Sequence, residues 1–236
     1  MKRILLQPAF VLHRRPYRET SFLVELFTQD YGCITVIAKG VRKVKSPNQG
    51  LLQPFTPLFV SCSGKGDLLL LTHCEPCGEF KSLQGPCLFA GFYLNELLLC
   101  LLQKWDPHSN LYHAYQKTIT ALQCGTLEEK ILRSFEKYLL DELGYGLPTV
   151  ASASSQHVLI LDSYYRFIPE QGFVLSEYHE SARQHLFSGK TLLAIAKEKW
   201  EEEGVLLAAK RLIRLVLASL LEGKELYSRH LFIQSD

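Results

Sequence analysis

The amino-acid sequence predicts an α+β protein in which a small five-stranded β-barrel precedes a mainly α-helical region with a β-hairpin. Two patterns support this prediction. Short extended runs separated by turn residues fill the first 80 positions, whereas apolar residues recur at helical spacing in most of the remainder. The 236 residues are 47% hydrophobic and 21% charged, a globular composition that excludes collagen-like and low-complexity classes. We predict two domains, residues 1–80 and 81–236.

Five extended runs make up the predicted barrel. They are Phe10–His13, Ser21–Thr28, Cys33–Lys39, Phe55–Cys62 and Asp67–His73. Pro57, in the fourth run, favours an edge strand or a bulge. The third and fourth runs are joined by a longer polar connection, Gly40–Leu52. Five short strands with one long connection are typical of a closed barrel of the OB type, and 80 residues are few for an open sandwich.

The positive charge of the chain is concentrated near its beginning. The whole chain has 26 Lys and Arg against 24 Asp and Glu, but residues 1–80 carry a net charge of +4 and residues 81–236 a net charge of −2. A chain that is neutral overall and basic in one part often binds a polyanion with that part, although a solvated loop gives the same pattern. The candidate DNA-binding residues are Lys39, Arg42, Lys43 and Lys45, with Arg14 and Arg15 beside Arg18 as a second group.

Aromatic residues are interleaved with these cations. OB barrels bind single-stranded nucleic acid through a positive groove and exposed rings. The rings available in this region are Tyr17, Phe22, Phe27, Tyr31, Phe55 and Phe59. We expect most of them to lie in the core and one or two to face a ligand.

Three helices are predicted after the barrel. The first spans about Pro86–Trp105, with its proline at a first helical position. Asp106–Pro107 predicts the cap and first residue of the second helix. Thr126–Glu129 has the form of a capping box and predicts the start of the third, which Gly144 ends.

The last third of the chain mixes both types of element. Tyr164–Ile168 and Gly172–Leu175 flank a turn and predict a β-hairpin. Short helices are predicted at about Glu180–Phe187 and Thr191–Trp200, and a longer one at Val205–Leu221. Residues 145–160 are rich in Ser and Ala and receive no assignment.

Motifs for catalysis, cofactors or metals are weak. Seven cysteines, an odd number lying mostly within apolar runs, favour reduced thiols in a cytosolic protein. Cys74 and Cys77 have redox spacing, but Glu75 and Glu79 supply anions where a lowered thiol pKa needs a cation. A zinc site would need four ligands, and only one Cys-x-x-Cys pair exists. We predict no metal, no cofactor and no catalytic residue.

Ser188–Thr191 matches only the end of a phosphate-binding loop. Gln184 stands where the first glycine of that motif belongs, and no strand is predicted before it. A helix start capped by Ser188 is the favoured interpretation.

Basic residues also recur on two predicted helices. Lys130, Arg133 and Lys137 share one helix face, and Lys210, Arg211 and Arg214 share another. Solvated faces are the commoner explanation of such stripes. The alternative is a pair of stripes that receives an acidic peptide, with apolar pockets between the helices for its hydrophobic side chains.

Eleven short segments, in their order and spacing, carry a family resemblance. They are Ala9–His13, Thr20–Ser21, Phe27–Thr28, Ala38–Arg42, Leu52–Leu58, Gly64–Gly66, Tyr93–Leu98, Leu132–Glu136, Leu143–Gly146, Ala209–Arg211 and Ser228–Phe232. Together they closely resemble the RecO family of bacterial DNA repair proteins, nearly from end to end.

This resemblance implies an OB domain followed by a helical domain, in a recombination mediator that has neither cofactor nor turnover. Such a protein binds single- and double-stranded DNA and anneals complementary strands. It contacts the acidic C-terminal tail of the single-stranded-DNA-binding protein, and works with RecR to load RecA. A cytoplasmic location at the nucleoid follows from that role.

The resemblance also bears on single residues. It implies that Arg133, in the Leu-Arg-x-Phe-Glu motif, helps to hold the acidic tail; charge geometry adds Lys210 and Arg214 as further partner-binding candidates. Some family members carry a four-cysteine zinc site after the Leu-Gly-Tyr motif. No cysteine follows Cys124 here, so this chain has no such site.

Two other functions stay open at this level. A protein-interaction adaptor would use the barrel to bind peptide and would bind DNA weakly. A thiol oxidoreductase would use Cys74 and Cys77 and would lose activity on substitution of either cysteine by serine.

Overall fold

The computed structural model describes residues 2–43, 50–146, 159–169, 171–179 and 184–233. The chain forms two compact units, the first of Met1–Leu127 with Leu226–Asp236 and the second of Glu128–Glu225. The first unit thus groups two long helices and one short C-terminal helix with the barrel. The division of the sequence into residues 1–80 and 81–236 stays a prediction.

Five strands close into a barrel, as predicted. They are β1 (Lys2–Tyr17), β2 (Ser21–Thr28), β3 (Gly32–Ala38), β4 (Pro57–Gly64) and β5 (Leu68–Pro76). Their order is β1-β2-β3-β5-β4, and β1 pairs with β4 to close the barrel. All pairs are antiparallel except β3 and β5. This is the OB arrangement, and the α+β fold class is confirmed.

Strand β1 is much longer than the predicted run Phe10–His13. It spans 16 residues and pairs with β4 through its first half and with β2 through its second. A bulge between Ile4 and Gln7, where Leu6 has a φ of +44°, breaks the alternation of apolar residues. A bulge shifts every later side chain to the other face, and this hides the strand from a search for strict alternation.

The barrel interior is filled by apolar side chains of all five strands. Val24, Ile34, Val36 and Val60 are fully buried there. Pro57 is the first residue of β4, a position at which its missing N–H is tolerated.

Helices α1 (Gly85–Leu101) and α2 (Ser109–Leu122) belong to the same unit as the barrel. The Asn95 side-chain amide of α1 donates a hydrogen bond to the Leu12 carbonyl oxygen at 2.7 Å, and the Tyr115 hydroxyl of α2 donates to Asn95 Oδ1 at 2.5 Å. Both side chains are buried, so each polar group needs the other. Burial also raises the pKa of Tyr115 well above its ordinary value.

Two predicted helix starts were wrong. Helix α2 begins at Ser109 after His108, because Asp106 lies against Gly32 of the barrel. Helix α3 (Glu129–Glu142) follows Glu128, and no side chain caps its first turn, so the predicted capping box does not form. Its end is correct, since Gly144 has a φ of +83°.

The second unit contains a small sheet and further helices. The predicted hairpin is present as β6 (Tyr164–Ile168) and β7 (Gly172–Ser176). A third strand, β8 (Leu186–Ser188), pairs with β6, so the helix predicted over 180–187 was wrong at its end; residues 180–183 lie outside the described residues. The other elements of this unit are α4 (Gly189–Ala196) and α5 (Val205–Leu220).

Helix α4 has the predicted cap but is shorter than predicted. The Ser188 hydroxyl oxygen accepts a hydrogen bond from the Thr191 N–H at 3.1 Å. The helix ends four residues before Trp200. A short helix, α6 (Arg229–Ile233), was not predicted and lies in the first unit. No helix among the described residues combines the length and the hydropathy that a bilayer crossing requires.

Gly32→Ala is expected to destabilise the first unit strongly. Gly32 has a φ of +64°, and an added Cβ would lie 1.9 Å from the Asp106 carbonyl oxygen. The left-handed backbone and the displaced chain together are expected to cost roughly 2–4 kcal/mol in the free energy of unfolding. Thermal and urea denaturation measure this.

Gly66→Ala is the matched control. Its φ is +75°, and nothing lies within 4 Å of an added Cβ. Only the conformational cost of about 1 kcal/mol is expected. Equal losses for the two variants would contradict the steric argument.

Candidate nucleic-acid interface

The turn after β3 is hydrogen-bonded to the turn between β1 and β2. The Arg42 backbone N–H donates a hydrogen bond to the Thr20 carbonyl oxygen at 2.9 Å, and Arg42 Nη1 donates to the Arg18 carbonyl oxygen at 3.1 Å. Val41 is buried in the barrel core beside them. The basic segment therefore starts from a fixed position at one end of the barrel.

An open groove of about 890 Å³ lies at this end of the barrel. Three cationic residues line it, namely Arg18, Lys39 and Lys43, with one carboxylate, Glu19, and one aromatic ring, Tyr17. Thr20, Ser21, Ile37 and Gly40 complete the lining. Within the described residues, none of the three cations forms an ion pair with a carboxylate. The groove therefore carries a net positive charge beside one aromatic ring.

Two predicted arginines lie against one ring instead of lining the groove. The guanidinium carbons of Arg14 and Arg42 are 4.7 and 5.9 Å from the centroid of Phe22. Burial lowers the pKa of Arg14, but an arginine in a protein stays protonated. Cation–π contact with a buried ring holds both charges beside the groove.

The remaining predicted DNA-binding residues lie further along the same segments. Arg15 is exposed on β1, opposite Leu23 of β2. Lys45 lies outside the described residues. Lys39 and Lys43 are thus the two predicted DNA-binding residues that the structure places together in the groove. Arg18, which the sequence analysis put in the second basic group but not among the predicted DNA-binding residues, joins them.

Three of the six candidate aromatic rings are core residues, so the expectation that most of them lie in the core was wrong; Phe59 is half-buried. Phe22, Phe27 and Phe55 are buried. Tyr31 is exposed at the turn between β2 and β3, whereas Tyr17, half-buried, lines the groove. The sequence signal for Tyr17 was its place beside the β1–β2 turn and next to an arginine.

Arg133, the predicted partner-binding residue, is buried on α3. Its Nη1 lies 2.7 Å from Glu136 Oε2, and the Glu136 side chain is fully buried. Their neighbours on the buried face of α3 include Leu132 and Phe135. An acidic ligand reaches this guanidinium only by replacing or rearranging Glu136. The assignment of Arg133 to partner binding stays a prediction.

The rest of the basic stripe on α3 is neutralised within the second unit. Lys130 lies 2.8 Å from Glu128 and 3.5 Å from Glu201. Lys137 lies 3.0 Å from Asp141 and 3.4 Å from Glu198. Two of these carboxylates, Glu198 and Glu201, come from a distant segment, so the sequence stripe overstated the free charge.

Helix α5 supplies the other two predicted partner-binding residues. Lys210 lies 3.1 Å from Glu129 of α3, and so it too is paired. Arg214 is exposed and makes no ion pair within the described part of the chain. It is the most accessible cation of the predicted partner-binding set.

Two models of one known family together cover nearly all of the chain. The model described as "Recombination protein O N terminal" matches residues 1–80, and the one described as "Recombination protein O C terminal" matches residues 86–230. The chain belongs to the recombination protein O family. The resemblance inferred from short motifs is confirmed.

Relatives within this family match over nearly their full length. The DNA repair protein RecO of Coxiella burnetii (strain RSA 331 / Henzerling II) is 45% identical over 231 residues, 98% of each chain. That of Pseudoalteromonas atlantica is 43% identical over 227 residues, which cover 96% of this chain and 93% of the relative. That of Haemophilus influenzae (strain 86-028NP) is 43% identical over 230 residues, 98% and 96% of the two chains.

The cysteines of this RecO-family chain are poorly suited to redox chemistry. Burial raises the pKa of both Cys74 and Cys77, which lowers the fraction of reactive thiolate. It raises the pKa of Cys33 and Cys62 to about 12. Among the described side chains, no three His, Cys, Asp or Glu residues come together as metal ligands.

Alkylation with iodoacetamide at pH 8 tests the thiol alternative. Cys124 is exposed, whereas Cys74 is buried and Cys77 is partly buried. We expect Cys124 to react faster than Cys74 or Cys77, because burial shields these two sulfurs and raises the pKa of their thiols, as followed by peptide mass spectrometry. Faster labelling of Cys77 than of Cys124 would contradict this and restore the redox function.

Proposed function

We propose that this chain is a DNA-binding recombination mediator in DNA repair, which anneals complementary strands without catalytic turnover. The observation that carries the proposal is the basic groove at the end of an OB barrel, with Arg18, Lys39 and Lys43 around Tyr17. Membership of a family whose named relatives are DNA repair proteins supports the same function.

The physical basis of binding is the release of counterions from DNA. Each lysine or arginine that neutralises a phosphate frees condensed cations, so the affinity falls steeply as salt rises. Lys39 and Lys43 are exposed and have no carboxylate partner among the described residues, which leaves their full charge for a phosphate. Tyr17 adds a ring on which any base can stack, since stacking is sequence-tolerant.

Annealing requires that two strands be partly neutralised at once. Arg14 and Arg42 at the Phe22 ring and Arg15 on β1 place further positive charge beside the groove. One strand in the groove and a second strand along these arginines would repel each other less than two strands that are free in solution. The same charges favour double-stranded DNA, the product of annealing.

The proposed protein partners rest on family resemblance. They are RecR, RecA as the recombinase to be loaded, and the acidic C-terminal tail of the single-stranded-DNA-binding protein. In the second unit, Arg214 is the exposed cation at which an acidic tail would first be held. Arg133 and Lys210 would join only by exchanging their present carboxylate partners, Glu136 and Glu129.

Replacing Lys39 and Lys43 together by alanine is expected to weaken binding of single-stranded DNA and to lower the slope of log affinity against log salt by about 1 to 2. Fluorescence anisotropy at several salt concentrations measures both. Arg42 is left in place, because its guanidinium also holds the β1–β2 turn.

The matched control replaces Lys81 and Lys117, two exposed lysines elsewhere in the first unit, by alanine. It removes the same charge and is expected to change the slope little. Equal slopes for the two double variants would refute the groove as the phosphate site. Absence of wild-type binding at low salt would favour the peptide-binding adaptor.

Arg214→Ala is expected to weaken binding of a labelled acidic-tail peptide by about 3- to 10-fold, the range for a partly exposed charge-assisted hydrogen bond. Lys224→Ala, which removes another exposed cation of the second unit, is the control. Arg133→Ala is unsuitable, because it strands a buried carboxylate at a cost of about 3–5 kcal/mol. Unchanged peptide affinity in Arg214→Ala would remove this residue from the partner site.

A further inference from the structure

Helix α2 covers the outer face of β2 and β3 at the end of that face where Phe27 lies. OB barrels commonly bind oligonucleotides on this face. Here Phe27 is fully buried, and its ring centroid lies 5.6 Å from that of Tyr112 and 6.0 Å from that of Tyr115, both on α2. No base can reach the face at this level.

The middle of the same face is covered by the segment between α1 and α2. Lys104 Nζ donates a hydrogen bond to Thr35 Oγ1 at 2.5 Å, and Thr35 Oγ1 donates to Glu25 Oε2 at 2.8 Å. The Trp105 N–H donates to the Cys33 carbonyl oxygen at 3.1 Å. The part of this face that stays open is the end opposite Phe27, where Ile37 lines the groove.

We propose that single-stranded DNA is held only at this end of the barrel, with one base stacked on Tyr17 and its phosphates at Lys39 and Lys43. This inference rests on the proposed function and specifies how its ligand is held. The covered β2–β3 face leaves the other bases of the strand off the protein, where they are free to pair with a complement.

Arg18 supports this assignment through its backbone. Its φ is +51°, a left-handed conformation that glycine adopts more easily than arginine. Its guanidinium carbon lies 5.4 Å from the centroid of the Tyr17 ring, at the groove. An arginine at a strained turn position, beside the one ring that lines the groove, is the side chain that we expect to reach a phosphate there.

Substitution of Tyr17 tests the stacking. Tyr17→Ala is expected to weaken binding of a five-nucleotide single strand by about 5- to 150-fold, while Tyr17→Phe keeps the wild-type affinity. The slope of affinity against salt stays unchanged, because the phosphate contacts remain. Tyr31→Ala, at the exposed turn between β2 and β3, is the control and is expected to bind as the wild type does.

A 2-aminopurine base within the five-nucleotide strand reports stacking directly. Its fluorescence should be quenched on binding to the wild type, Tyr17→Phe and Tyr31→Ala, but not to Tyr17→Ala. Permanganate oxidation of bound (dT)12 reports the other bases, which are expected to react nearly as fast as in the free strand. General protection of the thymines would overturn the proposal.

Arg18→Gly separates binding from folding. Because it relieves the left-handed strain, its Tm is expected to equal or exceed that of the wild type, while its DNA affinity falls and its salt slope drops by about 1. A fall in Tm with unchanged affinity would assign Arg18 a structural role and overturn this part.

If the wild type binds DNA but Tyr17→Ala and Tyr31→Ala behave alike, the stacking inference alone fails. If the wild type binds no DNA, the proposed function fails with it.

Discussion

The double pairing of β1 is the constraint on which the first unit depends. One strand of 16 residues closes the barrel against β4 and then forms a hairpin with β2. Closure leaves no strand edge among these five strands, and it fixes the place of the β1–β2 turn. The turn after β3 is then hydrogen-bonded to that turn through Arg42. The groove is a consequence of barrel closure, because both of its walls are ends of paired strands.

A buried cluster of aromatic and polar side chains decides where on the barrel a ligand has room. Phe10 and Phe27 of the barrel pack against Tyr112 and Tyr115 of α2, and the Tyr115 hydroxyl bonds to Asn95 of α1. These contacts stabilise the helices on the barrel and fill the face that related barrels offer to oligonucleotides. The same packing that makes this unit compact therefore closes this part of the β2–β3 face to a ligand.

The sequence predicted the elements whose signal is local. Alternation located β2 and β3, and the turn between β6 and β7 was visible in composition. The length of β1 could not be predicted, because a bulge and Pro8 interrupt the alternation of apolar residues. The burial of Arg133 was also not predicted. Its partner, Glu136, lies three residues further along α3, and an opposite-charge pair on the apolar face of this helix was the available signal. The side chains that neutralise Lys130 and Lys137 come partly from residues 198 and 201, which no local pattern connects to them.

Most cations of the predicted basic stripes in the second unit have carboxylate partners, Arg214 excepted, whereas the lysines of the groove have none among the described residues. In the second unit, Lys130, Lys137 and Lys210 each have a carboxylate of the chain within 3.1 Å. In the groove, Lys39 and Lys43 have none among the described residues. Clustered cations without counter-charges repel one another, which lowers the stability of the fold. This unbalanced positive charge is the feature on which the proposed binding of a polyanion rests.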